Sequence, residues 1–338
     1  MQDSRLRRAA PRAPLVGWWL LALCGLTLAM IVVGGLTRLT DSGLSITEWR
    51  LDKGLTPPLS SERWAEEFAL YRRTAEYQIQ NRGMSLAEFQ TIYWWEWGHR
   101  FLGKMIGLVF IIPFLLFWRA GALEGRFWSV LSLGLLGALQ GAIGWWMVQS
   151  GLADRLDVSP VRLAVHLGVA FLILALSFTL ALQAFGWPRA PSRLGLPSAC
   201  AWVLLAALFG QVILGALMAG ADAGAAFPDW PTIGGEWIPA DVLAGDLAAH
   251  AALQFNHRTA GYAVAALALA IGVGAALWGR GPARGLGVAV GLLALAQAGL
   301  GILAVVTGAH LHVSLTHQIG AAALWLTAAA LVRAVSLR

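Results

Sequence analysis

The chain has 338 residues, 58% hydrophobic and only 12% charged, with a net charge of +6 and a mean hydropathy of +0.67. A soluble domain carries about 25% charged residues, so this balance excludes one. Apolar runs of about 20 residues, in place of short alternating segments, also exclude a β-barrel and leave an all-α integral membrane protein.

Eight spans follow in chain order, at 14–36, 91–117, 128–149, 160–184, 198–220, 247–278, 285–307 and 313–334. No small-residue cleavage site follows the first run, so it is read as a retained span. The connections on one side carry Arg5, Arg7, Arg8, Arg12, Arg119, Arg126, Arg189, Arg193, Arg280, Arg284, Arg333 and Arg338, opposed only by Asp3 and Glu124. By the positive-inside rule that side is cytoplasmic and holds both termini, which predicts a multi-pass membrane protein. The expected surroundings are membrane lipid and not nucleic acid. The seventeen Trp fit interfacial anchoring, with some free to line a flat ligand. Cys24 and Cys200 lie in apolar runs without CxxC or Cys/His metal spacing and read as packing residues.

The first outer segment, 37–90, is long. Ser61 is placed to cap a helix, and Ser85 with Glu88 forms a capping box leading into the second span, so short surface helices are expected. The segment 221–246, with "FPDWPTIGGEWIP", reads as a turn-laden loop.

The two halves match. "GLSITEW" (Gly43 to Trp49) parallels "GAAFPDW" (Gly224 to Trp230), "EWGHRFLG" parallels "QFNHRTAG", and "QGAIG" (Gln140 to Gly144) parallels "QAGLG" (Gln297 to Gly301). Four spans per half give both halves one orientation, so the expected architecture is two tandem-duplicated four-helix bundles, residues 1–190 and 191–338, related about the membrane normal.

His99, His166, His257 and His317 each follow the start of an even-numbered span by roughly 5 to 10 residues, or about 8–15 Å from its outer end at 1.5 Å per residue. Four imidazoles in one layer, two per half, are what two bis-histidine haem sites need. Two His per half with no nearby third ligand is too few for zinc. Gly103 and Gly261 lie one turn beyond His99 and His257, and Gly168 and Gly320 lie near the other two. They leave room for a macrocycle or serve close helix packing. His250, His310 and His312 read as interfacial. Arg100 and Arg258 directly follow a His. They either grip haem propionates or snorkel to the interface, and Arg38 either does the same or meets lipid headgroups.

The halves differ at one position. Glu96 stands three residues before His99, and its counterpart before His257 is Gln254. A carboxylate there can act as a base or hold developing positive charge, which an amide cannot do. Glu96 can also simply pair with Arg100 at i+4. The first reading gives a working amino-terminal half and a supporting carboxy-terminal half.

"GGLTRLTDSGLSITEW", "WWEWGHRFLGK", "FNHRTAGY" and "THQIGAAALW" resemble the haem A synthase family, in its alphaproteobacterial and mitochondrial branch, over nearly the whole chain. That resemblance implies oxidation of the C8 methyl of haem O to a formyl group by successive hydroxylations. It implies that His99 and His166 hold the substrate haem, with Glu96 essential as the catalytic residue beside them, and that His257 and His317 bind a resident haem b. The implied partners are haem O synthase, an electron donor and cytochrome oxidase assembly factors. The outer-loop cysteine pair of the other branch is missing here. A two-haem b-type membrane electron carrier is the competing reading. A carrier that stacks its haems across the bilayer fits four His in one layer poorly. A proton-relaying transporter would need paired helix breaks, and Pro113 has no partner in span six.

Overall fold

A computed structural model of the chain describes residues 13–48, 55–153, 155–187 and 198–335. Its helices are α1 (Ala13–Leu39), α2 (Ser61–Tyr71), α3 (Ala75–Ile79), α4 (Leu86–Arg119), α5 (Phe127–Ala153), α6 (Pro160–Ala184), α7 (Ser198–Gly220), α8 (Ala240–Ala244), α9 (His250–Trp278), α10 (Gly281–Val306) and α11 (Leu311–Val335). Eight of them, α1, α4, α5, α6, α7, α9, α10 and α11, are long and apolar enough to cross a membrane. They match the eight expected spans. The protein is therefore a multi-pass, all-α membrane protein. Arg5, Arg7, Arg8, Arg12, Arg189, Arg193 and Arg338 of the basic side, and the 190/191 boundary between halves, lie outside the described residues.

Helix α4 begins five residues before the expected span because the capping box forms. The Ser85 hydroxyl accepts the Glu88 N–H at 3.3 Å, and the Glu88 carboxylate accepts the Ser85 N–H at 2.8 Å. Two orphan donors are thereby satisfied, and the helix reaches out into the loop. In α2 the cap is Ser60, not Ser61. The Ser60 hydroxyl takes the Arg63 N–H, and Ser61 is already helical.

The spans close two rings of neighbours, α1–α4–α5–α6 and α7–α9–α10–α11. In each ring the two helices carrying the paired histidines, α4 with α6 and α9 with α11, face across the interior. Along α9 and α10 the backbones meet at glycine. A Cβ on Gly272 would lie 3.1 Å from the Cα of Gly291, so a side chain there would press the two backbones apart. Small residues let membrane helices approach this closely when burial from water no longer drives association.

The rings join along α1, α6, α7 and α11. The largest apolar core runs across that seam, with Ile31, Phe171, Leu174, Leu204, Leu208 and Trp325 in one cluster. Trp325 is 3% exposed, and its indole N–H reaches the Phe171 carbonyl at 2.8 Å. Gln318 donates to the Ile31 carbonyl at 2.8 Å. By contrast, Trp18, Trp118, Trp128, Trp145, Trp202 and Trp278 are exposed near helix ends, where aromatic rings anchor at the headgroups. Cys24 is buried and free, and Cys200 is partly buried and free, as packing residues are.

Helices α2 and α3 dock on the amino-terminal end of α4 through an aromatic cluster. Tyr71 stacks on Phe89 at 5.2 Å, and Trp64 meets Tyr93 edge-on at 5.0 Å. Beneath this cluster lies Glu76 on α3, 4% exposed, with Oε2 buried and unpartnered. Burial, reinforced by the nearby Glu96 carboxylate, pushes the Glu76 carboxyl up to about 8. A raised carboxyl binds its proton more tightly in the folded state than in the unfolded chain, whose value is 4.5. Stability should therefore be unaffected by Glu76 below pH 4.5 and fall as pH rises from there to about 8. Glu76→Gln should flatten that decline and raise the unfolding temperature at pH 8, as measured by thermal unfolding in detergent from pH 5 to pH 9.

Candidate functional site

Each of the four paired histidines lays its ring on a glycine of the neighbouring helix. A Cβ on Gly34 of α1 would lie 3.1 Å from the His99 ring, and one on Gly144 of α5 would lie 3.0 Å from His166. In the other ring of helices, Gly215 of α7 stands 2.9 Å from His257 and Gly301 of α10 stands 3.1 Å from His317 by the same measure. Any side chain at these four places would push an imidazole away. The glycines one turn along the histidine helices meet side chains of the neighbouring helix: Gly103 meets Met30, Gly261 meets Gln211, and Gly320 meets Gln297.

The rings of His257 and His317 are 6.5 Å apart centre to centre, with planes 78° apart. Two metal–nitrogen bonds of about 2 Å, plus the reach from each nitrogen to its ring centre, span a similar length. His166 lies within electrostatic range of His99. Among the described residues no three His, Cys, Asp or Glu converge as a metal site. Paired imidazoles without a third protein ligand suit a metal that brings its own equatorial donors, as haem iron does. His250, His310 and His312 are exposed and remain apart from these pairs.

Glu96 is 3% exposed and has partners on both oxygens. Oε2 accepts the Ser45 hydroxyl at 2.7 Å and the Ile46 N–H at 2.8 Å, and Oε1 accepts Arg100 at 2.5 Å. The i+4 pair with Arg100 therefore forms, and the same carboxylate fastens α4 to the segment after α1. Gln254, fully buried, occupies the corresponding place with reversed polarity. Its oxygen accepts Arg258, and its NH2 donates to the Ala223 carbonyl at 2.5 Å. One loop presents donors to an acid, and the other presents an acceptor to an amide.

The three arginines considered for propionates all have protein partners. Arg100 donates to the carbonyls of Ile46 at 2.9 Å and Glu48 at 3.4 Å. Arg258 donates to those of Phe227 at 3.0 Å, and of Asp229 and Thr232 at 2.9 Å each. Both thus staple a span to the loop that precedes it. Asp229 braces the second loop by accepting the N–H groups of Gly234 and Gly235, which hold its carboxyl down at about 2. Arg38, at the end of α1, bonds Asp41 at 3.1 Å, Asp222 at 2.6 Å and the Ala219 carbonyl at 3.1 Å, bridging the two rings of helices. Hence Arg38, Arg100 and Arg258 organise the loops between spans in this structure.

Comparison with known proteins adds the family. Residues 17–329 match the COX15-CtaA model, described as cytochrome oxidase assembly protein. The chain belongs to this family. It is 48% identical to a protein named heme A synthase from Maricaulis maris over 325 residues, which cover 94% of this chain and 95% of the relative. It is 46% identical to heme A synthase from Cereibacter sphaeroides, covering 91% and 84%, and 43% identical to that of Parvibaculum lavamentivorans, covering 90% of each. A role in cytochrome oxidase assembly follows from membership.

Several members of the site escaped the sequence reading. Ser45 and Ile46 lie some fifty residues from Glu96 in the chain, and one of the two contacts uses a backbone N–H that any residue would supply. Glu76 had no local signal. Two of the four ring-bearing glycines, Gly144 and Gly301, carry a signal in the repeated "QGAIG" and "QAGLG", and Gly34 and Gly215 carry none.

The opposed loop polarities yield a prediction. In Glu96→Gln the amide offers one acceptor where donors stand on both sides. In Gln254→Glu a carboxylate faces the Ala223 carbonyl. Each single change should lower stability by about 1–3 kcal/mol, read as a lower unfolding temperature and faster hydrogen exchange at residues 42–48 or 222–229 respectively.

Proposed function

We propose that this chain makes haem A, oxidising the C8 methyl of a haem O held between His99 and His166, while His257 and His317 hold a resident haem b. The observation that carries this reading is the pair of matched histidine sets, each bedded on glycine and set apart by one carboxylate, in a chain whose relatives are named heme A synthase.

Bound haem would supply the iron and its redox chemistry. The protein's part is to orient and exclude. The glycine beds fix the direction of each imidazole by leaving it no alternative volume. Glu96 and Arg100 hold the segment 42–48 over the outer end of α4, which keeps bulk water from the first site. Glu96 stands one turn from His99 on the same helix face, where it can take up a proton or hold positive charge. Gln254 has no such capacity, and we assign the second site a supporting role for that reason. The setting is a bacterial inner membrane with both termini cytoplasmic. Haem O synthase is the supplier and the oxidase assembly machinery the recipient, and each hydroxylation balances with one dioxygen, two protons and two electrons from a membrane electron donor, one water leaving each time.

Purified protein should show the absorption of low-spin b-type haem, and cells carrying the chain should yield haem A where cells lacking it accumulate haem O. His257→Ala should lose most resident haem. His99→Ala should retain that haem and make no haem A. A colourless preparation, or normal haem A in the His99 variant, would overturn the assignment. Normal haem spectra with unchanged extracted pigments would mean an electron carrier instead.

A further inference from the structure

Three of the four histidine-bearing turns are held by a glutamine from the next helix. Gln140 of α5 donates its amide N–H to the His166 carbonyl at 2.9 Å, Gln211 of α7 to that of His257 at 2.9 Å, and Gln297 of α10 to that of His317 at 2.8 Å. The amide of Gln211 also stands 3.1 Å from His257 Nδ1. Each glutamine comes four residues before the glycine under the ring, so one helix face delivers both the bed and the bond. The bond comes with an unfavourable counterpart. The Oε1 atoms of Gln140, Gln211 and Gln297 are all buried without a partner. A buried amide with half its hydrogen-bonding capacity unmet is unfavourable unless the other half contributes something.

At the fourth place the residue is Met30, four before Gly34. It occupies the same seat. A Cβ on Gly103 would meet Met30 Cε at 3.4 Å, as one on Gly261 would meet Gln211 Nε2 at 3.1 Å. A thioether has no proton to donate, and its three rotatable bonds let it follow a moving neighbour. The helix it faces is also the less embedded one. Of its most apolar stretch, α4 buries 6% within the protein, whereas α9, carrying His257, buries 33%.

We propose that Gln140, Gln211 and Gln297 are locks on His166, His257 and His317, and that Met30 leaves His99 the releasable ligand through which haem enters and leaves the first site. This rests on the function proposed above, and it supplies what that function requires of the fold. A substrate site must let its product go, whereas a cofactor site must not. With three locks and one methionine, both ligands of the second pair are fastened and one ligand of the first pair is free to move. The methionine is therefore a positioning residue that acts through the α4 turn.

The test is haem transfer from the full-length protein in nanodiscs, loaded with two equivalents of haem b, to excess haem-free myoglobin. Wild type should release haem in a fast and a slow phase, with His99→Ala lacking the fast phase and His257→Ala lacking the slow one. Met30→Gln should slow the fast phase by roughly three- to fifteen-fold, the range expected for one interhelical side-chain hydrogen bond in a membrane, and leave the slow phase alone. Gln211→Met should accelerate the slow phase by a similar factor. Met30→Leu, of similar size and equally without a donor, should leave both phases close to wild type. Two phases assigned by the histidine variants but unmoved by Met30→Gln and Gln211→Met would overturn the lock while leaving the two-site reading intact. A single phase indifferent to either histidine would overturn both. A slowing by Met30→Leu as large as by Met30→Gln would show that shape and not the hydrogen bond governs release, and would also overturn the proposal.

Discussion

An imidazole resting on a bare glycine backbone is the contact from which the rest of the architecture can be derived. It lets two helices approach with only an imidazole between them, and it occurs four times, at Gly34, Gly144, Gly215 and Gly301. The loops that lead into two of the histidine helices are tied down as well. Arg100 and Arg258 bind corresponding carbonyls, those of Ile46 and Glu48 in one case and of Phe227 and Asp229 in the other. In a medium that offers no water to backbone groups, such internal satisfaction is obligatory.

Within this shared frame the differences are few and chemically directed. Glu96 and Gln254 differ by one atom type, and the loops beside them have adjusted, hydroxyl and N–H against the acid, carbonyl against the amide. Met30 and Gln211 differ in whether they can donate. Both substitutions fall in the amino-terminal set of helices and on the His99 side of it. The asymmetry is thus concentrated around one ligand, and the turns of the other three share the glutamine bond.

The spans were legible because a 20-residue apolar run has few other uses, and the histidines because ionisable groups are rare in such runs. The start of α4 was legible from Ser85 and Glu88, whose spacing encodes the bond itself. What stayed hidden was contact between distant segments. Nothing local to Glu96 announces Ser45 or the Ile46 N–H, and nothing local to Arg258 announces three carbonyls of the 227–232 segment. Spacing along one helix pointed to Gly103 and Gly261 and could not point to Gly34 and Gly215, which meet the His99 and His257 rings from the neighbouring helix. Periodicity reports which residues share a face, and it does not report what that face meets.

Helix α11 packs against α1 and α6 as well as against α7 and α10, and 56% of its most apolar stretch is buried, the largest share of any span among the described residues. It follows the other seven spans in the chain and so is the last of them to emerge from the ribosome. The first four spans therefore enter the bilayer before Trp325 and Gln318 are there to add their bonds to the Phe171 and Ile31 carbonyls. The seam between the two rings is completed last, and a chain stalled before α11 would lack it.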